Sequence, residues 1–257
     1  MPDPVIAFSV ADGIARIVFD DAARHNVVGA QFTKELARAA IACECRDDVR
    51  VVLLTANGNE FSVGGDLHEF IRERDHLREH VREMATYFHL AITILNRLPA
   101  PVVCAVNGIA AGGGMSMAMM SDMAIATRSA KFNLAYTRSG LTPDGGGTWF
   151  LPRLVGAQRA FDIMATNPTL SADEACALGI IARVVDDANF RDEVEKVLQQ
   201  LAAAPSGSVQ RAKHLLRASL SNSLEQQLEL ESQSIAAMVS TPTTLATLEA
   251  FFVARKK

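Results

Sequence analysis

Residues 102–120 read VVCAVNGIAAGGGMSMAMM: a five-residue apolar run, an Asn-Gly step, three consecutive glycines and a Met/Ala-rich segment. A short run with no polar alternation suits a strand covered on both faces, as in a parallel sheet. Glycines at the following helix start let backbone N–H groups approach a ligand closely. The same order occurs upstream. Val51–Leu54, closed by Thr55, precedes Phe61-Ser62-Val63-Gly64-Gly65-Asp66-Leu67 and then a charged, periodic stretch from Asp66 to Leu98, read as one long helix or two. Ahead of these, Val5–Val10 and Ile14–Phe19 flank Ala11-Asp12-Gly13 as a β-hairpin, and residues 29–46 carry helical spacing at Phe32, Leu36, Ala39 and Ala40.

Downstream, Ala124–Thr127 with Lys131–Phe132 reads as strand again. The strand–helix–strand rhythm predicts an α/β fold with crossover connections. From Thr148 onward apolar residues recur at helical spacing through Phe150–Val155, Ala160–Met164, Glu174–Leu178, Phe190–Leu201, Val209–Leu220, Leu224–Met238 and Leu245–Ala254, so strands are expected only within residues 1–145. Ser171 with Glu174 three residues later has the capping-box layout. With no linker or low-complexity stretch, the expectation is one functional unit: a core over 1–200 and a helical region over 201–257 apolar enough to join subunits.

Bulk properties narrow the function. Lys+Arg number 25 against 29 Asp+Glu, a net charge of −4, so no basic face for nucleic acid is expected. Four scattered cysteines form no disulfide or zinc pattern. The opening MPDPVIAFSVADGIARI lacks a basic n-region and a long apolar h-region, and no apolar run approaches the ~18 residues of a membrane span. A soluble, cytoplasmic protein without membrane attachment is the expectation.

A third glycine-rich loop, Gly140-Leu141-Thr142-Pro143-Asp144-Gly145-Gly146-Gly147-Thr148, joins the two above. Each could serve only a tight turn or close helix–strand packing. Two N–H groups from different loops could instead polarise one carbonyl oxygen as an oxyanion hole. None matches a phosphate-binding P-loop, which needs Lys-Ser/Thr after its last glycine, and no GxGxxG follows the first strand.

Taken together, the loops resemble the crotonase (enoyl-CoA hydratase/isomerase) superfamily. The matching pieces are Arg24-His25-Asn26, residues 61–67, residues 107–114, Ala130-Lys131-Phe132, Pro143–Thr148 and the closing Phe252 and Arg255. The resemblance implies a crotonase-like spiral of ββα units with a helical C-terminal trimerisation region, a homotrimer or homohexamer, and an acyl-CoA thioester as substrate. It implies no metal or redox cofactor, CoA being part of the substrate. By position the oxyanion donors fall on Gly65 and Gly113.

Hydratases of this superfamily use two glutamates, at positions that here read Ser116 and Tyr136. Neither can act as a carboxylate base to activate water. A carboxylate appears instead at Asp144, in a run similar to the isomerase branch, including the isomerase of ring-epoxidised phenylacetyl-CoA. There a single acid moves a proton from C2 to C4, so the implied function is acyl-CoA isomerisation by C=C migration, with Asp144, Gly65 and Gly113 catalytic. The bland alternative for Asp144 is a helix N-cap.

Other readings remain open: a hydratase with non-standard groups, a non-catalytic acyl-CoA-binding protein, or a dehalogenase using Asp144 as nucleophile with Tyr136 and His89 beside it. The Pro-Asp-Gly-Gly-Gly-Thr-Trp run points more to isomerases. Arg24, Asn26, Val63, His68, Tyr136, Phe252 and Arg255 are candidate substrate-binding residues. Asp66 reads as a helix cap, Ser116 has no visible base partner, and the methionines of 115–120 read as core.

Overall fold

The computed structural model describes residues 3–205 and 207–254. Asp12 and Gly13, with φ of 51° and 77°, make the two-residue turn that joins β1 (Ile6–Ala11) to β2 (Ile14–Phe19) in the antiparallel register Ile6↔Phe19 to Ala11↔Ile14. The chain continues through α1 (Ala30–Glu44), β3 (Val51–Ala56), α2 (Leu67–Arg72), α3 (Leu77–Arg97), β4 (Val102–Val106), β5 (Ile109–Ala111), α4 (Gly113–Met120), β6 (Met123–Thr127) and β7 (Lys131–Asn133). Beyond these come α5 (Gly147–Val155), α6 (Ala157–Thr166), β8 (Leu170–Ser171), α7 (Ala172–Ala177), β9 (Arg183–Val185), α8 (Phe190–Ala203), α9 (Ser208–Ala218), α10 (Leu224–Val239) and α11 (Pro242–Ala254).

Six strands form one sheet in the order β1-β2-β3-β4-β6-β9, parallel except for the hairpin. The β4 sequence explains its central place. Val102, Cys104 and Val106 face the main core with α1 and α3, while Val103 and Ala105 face a second core built with Val194, Val197 and Leu198 of α8. Both faces are covered, so every residue of the strand is apolar and buried.

A second, smaller sheet runs β5-β7-β8, and single bridges Val28↔Gly65 and Ser62↔Ala110 pair the segments after β2, β3 and β4 with one another. After leaving the large sheet, the chain passes through this second line of pairing before its next helix. That repetition is the spiral of ββα units that the resemblance implies.

Two expectations change. Ala124–Phe132 is two strands in different sheets, because the chain turns after Thr127, where Ala130 N donates to Thr127 O. Strands are not confined to 1–145: β8 pairs antiparallel with β7, and β9 pairs parallel with β6. With two and three residues, they are too short to show a period. The stretch Asp66–Leu98, read as one long helix or two, is two, parted by a 3-10 turn at Arg74–His76. The Ser171 capping box is present, with the Ser171 and Glu174 side chains each satisfying the other's backbone N–H.

No single helix among the described residues is long and apolar enough to cross a membrane. α9 and α10 leave Leu216, Leu224 and Ile235 exposed.

Candidate active site

Backbone pairing brings the first two glycine loops together. Ser62 N donates to Ile109 O at 2.9 Å and Ala111 N to Ser62 O at 2.8 Å. Val28 N donates to Gly64 O at 2.8 Å, and Asp66 N to Val28 O at 3.3 Å. These bonds use main-chain groups next to Gly65 and near Gly113 and not the amides of the two themselves. Gly112 N donates to Asn133 O, whereas no described residue accepts from Gly65 N–H or Gly113 N–H. Gly113 opens α4, so its amide is one of the orphan donors of a helix N-terminus.

Both glycines line a cavity of about 340 Å³, within the ~300–1,000 Å³ range of small-molecule sites. Its apolar wall includes Val63, Phe70, Met84, Phe88 and Leu141. Val81, Met84 and Phe88 of α3 were legible as a helical stripe. Met84 and Phe88 are buried, and the stripe faces the cavity as well as the core.

Asp144 also lines this cavity, together with Tyr136. The Tyr136 hydroxyl donates to Asp144 Oδ1 at 2.6 Å. The Asp144 carboxylate is not a helix cap: α5 has Gly146 at its N-cap, without a side-chain cap bond. The main chain of Asp144 is fixed separately, its carbonyl accepting from Ser116 Oγ at 3.0 Å and from Gly147 N at 3.0 Å. Next to it, Gly145 N donates to His89 Nε2 at 3.2 Å. Burial, then the Asp144 charge and the hydrogen bond to it, hold the Tyr136 phenol well above its ordinary range. Tyr136 is therefore a neutral donor.

Gly145 sits at φ 58°, and a Cβ there would lie 2.5 Å from Phe88 Cε1 and 2.9 Å from Ser116 Cβ. Only glycine brings the third loop this close to α3 and α4. Ala135, at φ 60°, is a rare left-handed residue with a Cβ, set between β7 and Tyr136 on the cavity wall.

Of the residues singled out from sequence, Val63, Gly65, Gly113, Tyr136 and Asp144 come together around this cavity. Asn26 does not. It is fully buried, its Nδ2 donating to Asn57 O and Glu60 O and its Oδ1 accepting from Asp21 N, so it staples backbone rather than contacting a ligand. Arg24 is bound to Asp66 and to Asp21, outside the cavity lining. His68 is exposed on α2, and Phe252 is 61% exposed on α11; neither lines the cavity. Arg255 lies outside the described residues. Asp66 caps α2 by accepting from Glu69 N at 2.9 Å. Met115, Met117, Met119 and Met120 are core, and none lines the cavity. No group of His, Cys, Asp or Glu among the described residues could hold a metal ion.

The family model for enoyl-CoA hydratase/isomerase matches residues 9–257. The chain is 36% identical over 241 residues to a 4-chlorobenzoyl coenzyme A dehalogenase of Arthrobacter sp, covering 93% of this chain and 87% of that one. It is 34% identical over 223 residues to the 1,2-epoxyphenylacetyl-CoA isomerase of Escherichia coli, covering 86% and 85%. Among solved structures, an enoyl-CoA hydratase from Bacillus anthracis superposes with a TM-score of 0.90 at 28% identity, covering 97% of this chain and 96% of that one.

Proposed function

Because the chain belongs to the enoyl-CoA hydratase/isomerase family, we propose that it is an acyl-CoA isomerase that shifts a C=C bond, with Asp144 as the single acid/base. The observation that carries this reading is that, among the described residues, Asp144 is the one carboxylate lining a cavity that also holds the unpaired amides of Gly65 and Gly113.

The thioester carbonyl of a 3-enoyl-CoA accepts from those two amides. Asp144 takes a proton from C2: the C2–H bond breaks, an O–H bond forms, and the electron pair moves into a dienolate whose charge sits on the thioester oxygen. The same carboxyl then gives its proton to C4, the carbonyl re-forms, and the double bond lies between C2 and C3. One carboxyl suffices because it takes and returns one proton, and nothing is oxidised or reduced. Preorganised amides at the developing oxyanion are worth ~3–4 kcal/mol each in comparable sites. Hydration would need a second base for water, and Ser116 and Tyr136 supply none.

Gly65, Gly113 and Asp144 are the proposed catalytic groups; Val63 and Tyr136 shape the site around them. Assembly as a homotrimer or homohexamer through the C-terminal helices is part of the same proposal, and exposed Leu216, Leu224 and Ile235 support it.

The test is incubation with a short 3-enoyl-CoA, following 2-enoyl-CoA and 3-hydroxyacyl-CoA together. The isomer as first product supports the reading; hydroxyacyl-CoA alone makes the protein a hydratase, and thioester binding without turnover makes it a binder. A second reading, hydrolytic dehalogenation of an aromatic acyl-CoA with Asp144 as nucleophile, draws on His89 Nε2 lying 3.2 Å from the amide next to Asp144. Chloride release from 4-chlorobenzoyl-CoA would favour it.

A further inference from the structure

Asp144 is held unevenly. Its Oδ1 accepts from the Tyr136 hydroxyl at 2.6 Å, while its Oδ2 has no partner among the described residues. The tyrosine is itself fixed. Tyr136 N donates to Leu134 O at 2.7 Å, and Tyr136 O accepts from Ser139 N at 2.9 Å and Leu141 N at 3.0 Å. The Asp144 carbonyl is pinned by Ser116 Oγ and Gly147 N. With both main chains fixed, the carboxylate keeps only its side-chain rotations, and the bond from Tyr136 stops them.

We infer that Tyr136 is a positioning residue that occupies Oδ1 of Asp144, so that Oδ2 is the oxygen that takes the proton from C2 and returns it to C4. This rests on the isomerase reading above. Tyr136 stands where a hydratase would carry its second glutamate, and here that position serves the carboxyl of Asp144 instead of a water. Because Oδ1 is engaged, the protonated carboxyl cannot turn to exchange oxygens between the two half-reactions. In every turnover that is faster than exchange with solvent, the proton leaving C2 is the one delivered to C4.

Tyr136→Phe removes one oxygen and keeps the ring. With a 3-enoyl-CoA deuterated at C2, kcat is expected to fall ~10- to ~100-fold with KM within about threefold, and the fraction of label carried to C4 to fall at least about twofold. A phenylalanine variant with wild-type kcat and label transfer overturns the inference. So does a change in KM alone, which marks a substrate contact, or a wild type that carries no label to C4.

If the phenylalanine variant does not fold, 3-fluorotyrosine incorporated into a Tyr87→Phe chain labels Tyr136 alone, since the protein has two tyrosines. The kcat of that protein is expected to fall at lower pH than that of wild type, because the more acidic fluorophenol stops donating once it ionises; an unchanged alkaline limb overturns the inference. Asp144→Asn, run alongside, separates the two levels. If the asparagine variant is as active as wild type, or wild type forms no isomer, the isomerase reading itself fails. If the asparagine variant is inactive while Tyr136→Phe matches wild type, only the positioning role fails.

Discussion

Gly64 lies against Ala111 so closely that a Cβ on Gly64 would stand 2.9 Å from the Ala111 carbonyl oxygen. This contact joins the loop after β3 to the loop after β4, and it sets the spacing between the amides of Gly65 and Gly113. Gly64 also sits at φ 91°, where residues with side chains are strained. Gly64→Ala is expected to cost about 1–3 kcal/mol of stability and to lower kcat, because relief of the clash moves the amide proposed as an oxyanion donor. Denaturant unfolding and steady-state kinetics check this; a variant with wild-type stability and kcat contradicts it.

Asp66, its side chain 3% exposed, caps α2 through Glu69 N and holds Arg24 on its other oxygen. α2 follows Gly65 directly and carries Leu67 and Phe70 into the cavity wall. Asp66→Ala is expected to lose about 1–2 kcal/mol through the missing cap and to raise KM. Arg24, half exposed, can hydrate once freed, whereas Arg24→Ala keeps the cap but leaves the buried Asp66 carboxylate without its cation, so it is expected to cost stability with less effect on KM. An Asp66→Ala protein with wild-type stability and KM would contradict this account.

The central β4 run, the hairpin, the long helices and the Ser171 capping box were legible because each carries its own local pattern. β5, β8 and β9 were not, since a two- or three-residue strand has no period to read. The site divided in the same way. Gly65, Gly113 and Asp144, which line one cavity, were singled out through motif order, but the bond from Tyr136 to Asp144 depends on the turn at Ala135, a residue whose identity does not announce φ 60°. Asn26 was singled out with the Arg-His-Asn motif as a binding residue, whereas its amide serves three backbone groups.

Ser116 cannot simply be restored to a glutamate. It is fully buried, its hydroxyl holds the Asp144 carbonyl, and Gly145 packs against its Cβ. Ser116→Glu is expected to displace the Asp144 loop, lowering the unfolding midpoint by several degrees without creating hydratase activity. Hydration of a 2-enoyl-CoA by a stable Ser116→Glu protein would contradict the packing argument.

Stability should decline in alkali. Burial pushes Cys43 up to about 12 and raises Cys104 as well, and burial beside Asp144 raises Tyr136. Above about pH 9 the unfolded chain releases these protons while the folded chain keeps them, so fewer protons are bound unfolded and stability falls as pH rises. Lys213, lowered by desolvation, acts in the opposite sense, one group against three. Unfolding midpoints from pH 8 to 11 should drop, and a flat profile would contradict the burial of these groups. Cys45, the exposed thiol, should be alkylated in the native state while Cys43 and Cys104 are not.

The most direct test of the central claim is the rate of 3-enoyl-CoA to 2-enoyl-CoA conversion by wild type and by Asp144→Asn, with thioester affinity measured on both. The account predicts isomer from wild type, a loss of ~10²–10⁴-fold in kcat for the asparagine variant, and affinities within about threefold. An Asp144→Asn protein that isomerises at the wild-type rate would contradict it.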